Sequence, residues 1–233
     1  MINGSLWETL QQLLPGLGVS LQLAGVSTVV GVLVGLLLAL LAARGSRWIS
    51  WPTIVLIEIG RGAPVLVVLL LVYYGLPSVQ IVLEAKLAAW IGLSFTTAAY
   101  SSEILRAGLL AVPDGQREAA RALGLSRSAT FFAVVLPQAI RISLAPLLGF
   151  CIQMFQATSL AFALGLPELL SRAYDIGSIT FQYLQVLVIA GAVYAIVTLP
   201  LIRLVARLER RSARARARAT PTPTAPAQPT GAS

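Results

Sequence analysis

The sequence predicts an all-α integral membrane protein with five transmembrane helices, its N-terminus outside and its C-terminus inside. Three observations lead there. Hydrophobic residues make up 57% of the 233-residue chain and charged residues only 11%, whereas a soluble domain carries about 25% charged residues. Long uncharged stretches recur, and about 20 apolar residues suffice to cross ~30 Å of hydrocarbon. The basic residues also fall almost wholly on one side of the path those stretches describe.

The elements follow in order. Residues 1–16 form an extracytoplasmic N-terminal segment, and 17–211 form the membrane domain. Leu17 to Ala43 carries no charge and gives the first span, about 17–43. A signal peptide would place basic residues ahead of a shorter apolar core. Here the first basic residue, Arg44, comes after the run, so the helix is retained. The second span covers about 52–76, with Glu58 and Arg61 near its start. The third covers about 85–112, and Glu103 and Arg106 mark its end. A charged loop over 113–137 follows. The fourth span, about 142–164, and the fifth, about 178–203, lie in further uncharged runs. A basic, then disordered, tail occupies 212–233. Its Arg214–Arg218 alternation suits anionic lipid at the inner leaflet, and its Thr-, Pro- and Ala-rich end cannot bury a core.

Arginine placement sets the orientation. With the N-terminus outside, 17 Lys and Arg residues divide so that only Lys86 and Arg172 lie outside. Cytoplasmic loops carry the excess of Lys and Arg, so the loop over 113–137 faces the cytoplasm. Trp48, Trp51 and Trp90 fall near the expected interfaces. The net charge of +8 is placed for a membrane, and no nucleic-acid partner is expected.

Absences narrow the chemistry. The chain has no histidine, which excludes Ser-His relays and His-based metal sites. Lys86 is the sole lysine, and no Gly-Lys-Ser or Gly-Lys-Thr phosphate loop exists. The only aspartates, Asp114 and Asp175, sit in charged connections. Cys151 lies in an apolar run and reads as a small hydrophobe. No catalytic residue, metal or cofactor is therefore expected on this chain, and any ATP with its Mg belongs to another subunit. An intramembrane hydrolase lacks its residues here. An ion-driven transporter or channel would show unpaired acids at mid-membrane, whereas Glu58 and Glu103 each have an arginine three residues on. A non-transporting scaffold stays open at this point.

The loop reads Pro113-Asp114-Gly115-Gln116-Arg117-Glu118-Ala119-Ala120-Arg121-Ala122-Leu123-Gly124. Asp114 can cap a helix with its carboxylate. Helix formers continue to Leu123, and Gly124 suits a left-handed C-terminal cap. Ser126 can cap a second short helix. Ala119 and Ala120 make a face thin enough to enter a partner's groove, with Arg117, Glu118 and Arg121 as polar handles.

This order resembles the "EAA" loop of ATP-binding-cassette (ABC) importer permeases: Glu-Ala-Ala, three residues, Gly, nine residues, Ile, one residue, Leu-Pro. Glu118-Ala119-Ala120, Gly124, Leu136 and Pro137 fit it, with Val134 in place of Ile. Three further stretches resemble the polar amino-acid permeases among them. They are Glu58-Ile59-Gly60-Arg61-Gly62-Ala63-Pro64, Ala99-Tyr100-Ser101-Ser102-Glu103-Ile104-Leu105-Arg106-Ala107-Gly108 and Leu136-Pro137-Gln138-Ala139-Ile140-Arg141.

The resemblance implies a permease in a bacterial cytoplasmic membrane. It would pair with an identical or sister permease, dock on an ABC ATPase dimer through Asp114–Arg121, Gly124 and Leu136-Pro137, and receive a polar amino acid from an extracytoplasmic substrate-binding protein. Gly115 and Gln116 belong to that docking segment.

Polar groups inside spans are costly and mark candidate pathways. Thr96, Thr97 and Tyr100 in the third span, and Gln153, Gln156, Thr158 and Ser159 in the fourth, are the candidates. Interhelical hydrogen bonding uses the same residue types. Many relatives carry Lys-Asp-Thr-Ser-Leu where this chain has Phe155-Gln156-Ala157-Thr158-Ser159-Leu160. Either the substrate depends less on an acidic group, or a sister chain holds the site. The pairs Glu58–Arg61 and Glu103–Arg106 read as structural neutralisation, and Gly31 with Gly35 as a close-packing step.

Overall fold

A computed structural model describes residues 6–43 and 46–219, with side chains as far as 210. The described residues form helices and turns only: α1 (Leu6–Ala42), α2 (Arg47–Gly62), α3 (Val65–Leu70), α4 (Ala85–Leu110), α5 (Asp114–Ala122), α6 (Arg127–Ala129), α7 (Leu136–Ala157), α8 (Leu169–Thr180) and α9 (Tyr183–Ala219). Among them, Leu6–Ala42, Arg127–Leu164 and Tyr183–Arg210 are each long and apolar enough to cross a membrane. Counting one bent pair as a single span makes four.

The centre of the bundle is α4, which packs against α1, α2, α3 and α7. It is rich in Ser, Thr and Tyr and is not among the helices apolar enough to cross a membrane by composition. Protein rather than lipid covers it: Thr96, Thr97, Ser101 and Ser102 are buried. Small residues allow the close approach. A Cβ on Gly31 of α1 would collide with Thr97 and come within 2.9 Å of the Ser94 carbonyl. One on Gly35 would strike Ser101 and reach the Ala98 carbonyl at 2.8 Å. Ser101 uses that proximity to donate to the Gly31 carbonyl at 3.2 Å. The expected packing role of Gly31 and Gly35 is thus realised on α4. By contrast, Leu33, Leu37, Val29 and other apolar side chains on α1 are exposed, as a lipid-facing surface requires.

Four boundaries differ from the sequence expectation. The helix that holds the first span begins at Leu6, ahead of Leu17. The stretch 52–76 is not one element, because α2 and the Val65–Val79 helix meet at 107°. Pro64 has no N–H to donate and pushes Ala63 into extended backbone (φ −79°, ψ 133°). The short helix expected after Ser126 is instead the first turn of a rod running from Arg127 to Leu164. Before the last span, α8 is a separate helix ended by Phe181 at φ +58°, so that span starts at Tyr183 rather than 178. The Arg214–Arg218 stretch continues α9 to Ala219. Arg44 and the tail from 220 lie outside the described residues.

Within the rod, Thr130–Val135 is wound as a π-helix. Leu136 N–H reaches back five residues to the Phe131 carbonyl. Pro137, next in line, supplies no N–H and crowds the carbonyl four residues before it, which favours the wider turn.

Candidate functional site

Helix α5 stands at one end of the bundle, between α4 and the rod. Its start differs from expectation: the N-cap is Pro113, and Asp114 makes no capping bond. The Asp114 carboxylate instead pairs with Arg117 at 3.1 Å. Arg117 also donates to the Leu109 carbonyl at 3.1 Å, tying α5 to the end of α4. On the other side, the Gln138 amide donates to Gln116 Oε1 at 3.2 Å, tying α5 to the rod. Underneath, Val112, Val135 and Ala139 form a buried cluster with Leu109, Phe131 and Ile142 around it.

The end of α5 is closed as expected. Gly124 lies at φ +78°. Its N–H bonds the Arg121 carbonyl at 2.9 Å, and Leu125 N–H bonds the Ala120 carbonyl at 3.1 Å. This pair of bonds is a Schellman cap, which needs a left-handed residue at that position. Ser126 then caps the rod, accepting from Ala129 N–H at 3.2 Å.

One detail corrects the sequence reading. Ala120 is buried, at 3% exposure, so it faces this chain and cannot enter a partner's groove. Ala119, Glu118, Gln116 and Gly115 are exposed. Glu118 makes no ion pair among the described residues. Of the closing pair, Pro137 is exposed and Leu136 half-buried. The protrusion thus offers a backbone-braced helix with one small residue, one free acid and two amide-bearing or glycine positions on its outer face.

The expected pathway residues differ in their surroundings. Thr97 donates to the Leu93 carbonyl at 2.7 Å and Thr158 to the Phe155 carbonyl at 2.7 Å, both buried. Thr96 is buried with no partner for its hydroxyl. Ser159 donates to the Gln156 carbonyl. Tyr100 is half-buried, stacks on Phe150 at 4.8 Å between ring centres, and donates to the Arg61 carbonyl at 3.1 Å. That carbonyl ends α2 at the Pro64 break, where helical partners are lost. Gln153 and Gln156 remain exposed on one face of α7.

Both expected ion pairs form. Arg61 meets Glu58 at 3.3 Å, and Arg106 binds both oxygens of Glu103. Glu58, Glu103, Arg106 and Ser102 line a shared cavity of about 240 Å³. Arg61 acts electrostatically on Glu103, and Glu58 on Arg106. Each pair is closed within its own helix, and Glu58 of α2 shares the cavity with Glu103 and Arg106 of α4.

Two residues escaped the sequence reading. Gln138 was visible only as part of the Leu-Pro-Gln stretch. Glu168 lies just beyond the expected fourth span of about 142–164, yet it is fully buried. It caps α8 by accepting from Leu170 and Ser171 N–H at 2.9 and 2.7 Å. It also accepts from Ser20 of α1 at 3.3 Å and Tyr194 of α9 at 3.0 Å. The signal available was an acid directly after Pro167 and before an apolar pair, the pattern of an N-cap.

The described residues thus define a lipid-facing helical membrane protein that carries a braced helix at one end of its bundle. The comparisons give its family. Residues 31–214 match the binding-protein-dependent transport system inner membrane component. The chain belongs to that family: it is an ABC transporter permease, a non-catalytic, multi-pass subunit of the inner membrane. Over 204 residues it is 36% identical to the probable amino-acid ABC transporter permease protein YckA of Bacillus subtilis (strain 168), covering 83% of this chain and 90% of that protein. It is 38% identical over 213 residues to the octopine transport system permease protein OccM of Rhizobium meliloti, covering 88% and 87%. A solved amino acid ABC transporter with histidines superposes with a TM-score of 0.83 at 33% identity, covering 90% of this chain and all of that one.

Proposed function

We propose that this permease moves a polar amino acid or similar small zwitterion into the cytoplasm, with an ABC ATPase dimer docked on α5. The observation that carries the reading is α5 itself. It is short and outward-facing, yet pinned to α4 by Arg117–Leu109 and to the rod by Gln138–Gln116. A helix fixed at two points transmits displacement as a lever, which a loosely tethered loop cannot. Glu118, Ala119, Gly115, Gln116 and Arg121 form its contact face, and Gly124 with Leu136-Pro137 holds the shape. ATP and Mg bind to the partner ATPase.

Five spans complete the path, with the N-terminus outside and α5 in the cytoplasm. The α2–α3 pair acts as one bent span, and α4, too polar for lipid, crosses under the cover of its neighbours. A second permease, either a sister chain or a copy of this one, packs beside it. An extracytoplasmic binding protein delivers substrate at the other end. Gln153 and Gln156, exposed on one face of α7, are the side chains available to a pathway shared with that second permease. Thr97 and Thr158 serve helix packing instead. The pairs Glu58–Arg61 and Glu103–Arg106 neutralise charge at the ends of α2 and α4.

Affinity purification of the full chain from its native membrane, after cross-linking, tests this reading. An ATPase with a phosphate loop, a second permease and ATP-driven uptake of an amino acid by the reconstituted complex are expected. Recovery of the chain without an ATPase would sink it.

A further inference from the structure

Beside α5, a cavity of about 410 Å³ is lined by Arg117, Arg121, Arg127, Thr130, Phe131 and Val135. Three arginines thus line one hollow, and no Asp or Glu is among its lining residues. Arg117 is held by Asp114 and the Leu109 carbonyl, so its fork is fixed. Arg121 and Arg127 make no ion pair among the described residues. Thr130 supplies a second, independent sign. It is 7% exposed, and its hydroxyl has no hydrogen-bond partner. Its backbone N–H is already used by the Ser126 carbonyl. Buried hydroxyls without partners are rare in folded proteins.

We infer that this cavity is a binding site for a phosphoryl group. An arginine fork matches phosphate geometry and binds it through paired, charge-assisted bonds. A tetrahedral oxyanion has enough oxygens to meet two or three guanidiniums and the Thr130 hydroxyl together, whereas a carboxylate has two. Phe131 and Val135 form an apolar wall that lowers the local dielectric and strengthens those bonds. The group comes either from the headgroup of an anionic phospholipid or from free phosphate. Arg121 belongs both to this cavity and to the proposed docking face, so binding is measured on the chain without its ATPase and the two readings can fail separately.

The test uses the full chain, purified and delipidated in detergent. One arm titrates inorganic phosphate by calorimetry. The other reconstitutes the chain in phosphatidylcholine nanodiscs with or without phosphatidic acid, and native mass spectrometry counts retained phosphatidic acid. One or both arms show saturable binding, and the arm that responds identifies the source. The double variant Arg121→Gln/Arg127→Gln lowers it roughly tenfold or more, because each lost bond is charge-assisted. Thr130→Val, close in shape, lowers it by a few-fold and guards against a folding artefact. Arg127→Lys retains charge without the fork and falls between. No binding in either arm, or binding unchanged by these variants, overturns the inference. So does ATPase recruitment that needs Arg121 and Arg127 while phosphate binding is nil, which would assign the cavity to an acidic side chain of the partner.

Discussion

Gln138 donates through one amide nitrogen to Gln116 at 3.2 Å and to the Val134 carbonyl at 3.0 Å. One side chain therefore holds α5 and stitches the rod beside the π-helical turn. Removing it with Gln138→Ala frees two acceptors, each bond being worth about 1 kcal/mol. The variant is expected in the membrane at near-normal amounts, with ATPase-coupled uptake reduced several-fold. Gln116→Ala should reproduce part of the loss, and the double variant should be little worse. Additive losses in that cycle would show that the two side chains do not act together.

The cap at Gly124 separates backbone from bulk. Nothing lies within 4 Å of a Cβ placed there, so only its positive φ resists a side chain. Gly124→Ala should destabilise the α5 cap by about 1 kcal/mol. Gly124→Asp adds charge to that and should weaken ATPase recruitment further. Gly191→Ala is the control, because its Cβ is equally unobstructed and it sits inside α9, away from α5. Co-purification of ATPase with each variant gives the comparison. Equal recovery for Gly124→Asp and wild type would remove α5 from the docking assignment.

A different constraint operates at Gly35, where a Cβ would meet Ser101 and the Ala98 backbone of α4. Backbone cannot retreat as a flexible side chain can. Gly35→Val should cost on the order of 1–3 kcal/mol as overpacking, seen as a lower melting temperature in detergent. Gly25→Val, with open space around it, should melt like wild type.

Glu168 makes a strong case for a structural rather than a transport role. Glu168→Leu removes the α8 cap and takes the acceptor from the Ser20 and Tyr194 hydroxyls, although Ser20 still accepts from Leu169 N–H at 3.2 Å. Losing a cap costs about 0.5–2 kcal/mol, and each buried donor left without an acceptor adds about 1–3 kcal/mol. Marked loss of folded protein is expected, with Glu168→Gln intermediate. Full yield and stability for Glu168→Leu would argue against the clamp.

Tyr100 offers a test between substrate contact and helix support. Its hydroxyl serves the Arg61 carbonyl at the α2–α3 break. Tyr100→Phe should lower thermal stability by about 1 kcal/mol while leaving the substrate concentration for half-maximal uptake unchanged. A raised half-saturation value with unaltered stability would return Tyr100 to the pathway.

What the sequence determined by itself was whatever is written in local patterns. Uncharged runs marked the three long apolar helices at Leu6–Ala42, Arg127–Leu164 and Tyr183–Arg210, and the Glu118-Ala119-Ala120 pattern with Gly124 marked α5, because cap and helix former lie within a few residues of one another. The two charge pairs were legible for the same reason, since residues three apart share a helical face. Only the tertiary structure decided what depends on distant residues. It set Glu58 in one cavity with Glu103 and Arg106, turned Ala120 inward, and spent Thr97 and Thr158 on helix carbonyls. It brought Ser20, Glu168 and Tyr194 to one point and set three arginines around Thr130. In a membrane bundle most buried polar side chains are satisfied either by their own helix or by a neighbour, and Thr96 and Thr130 stand out as exceptions. Composition shows that such groups exist, but only packing settles which neighbour answers each one.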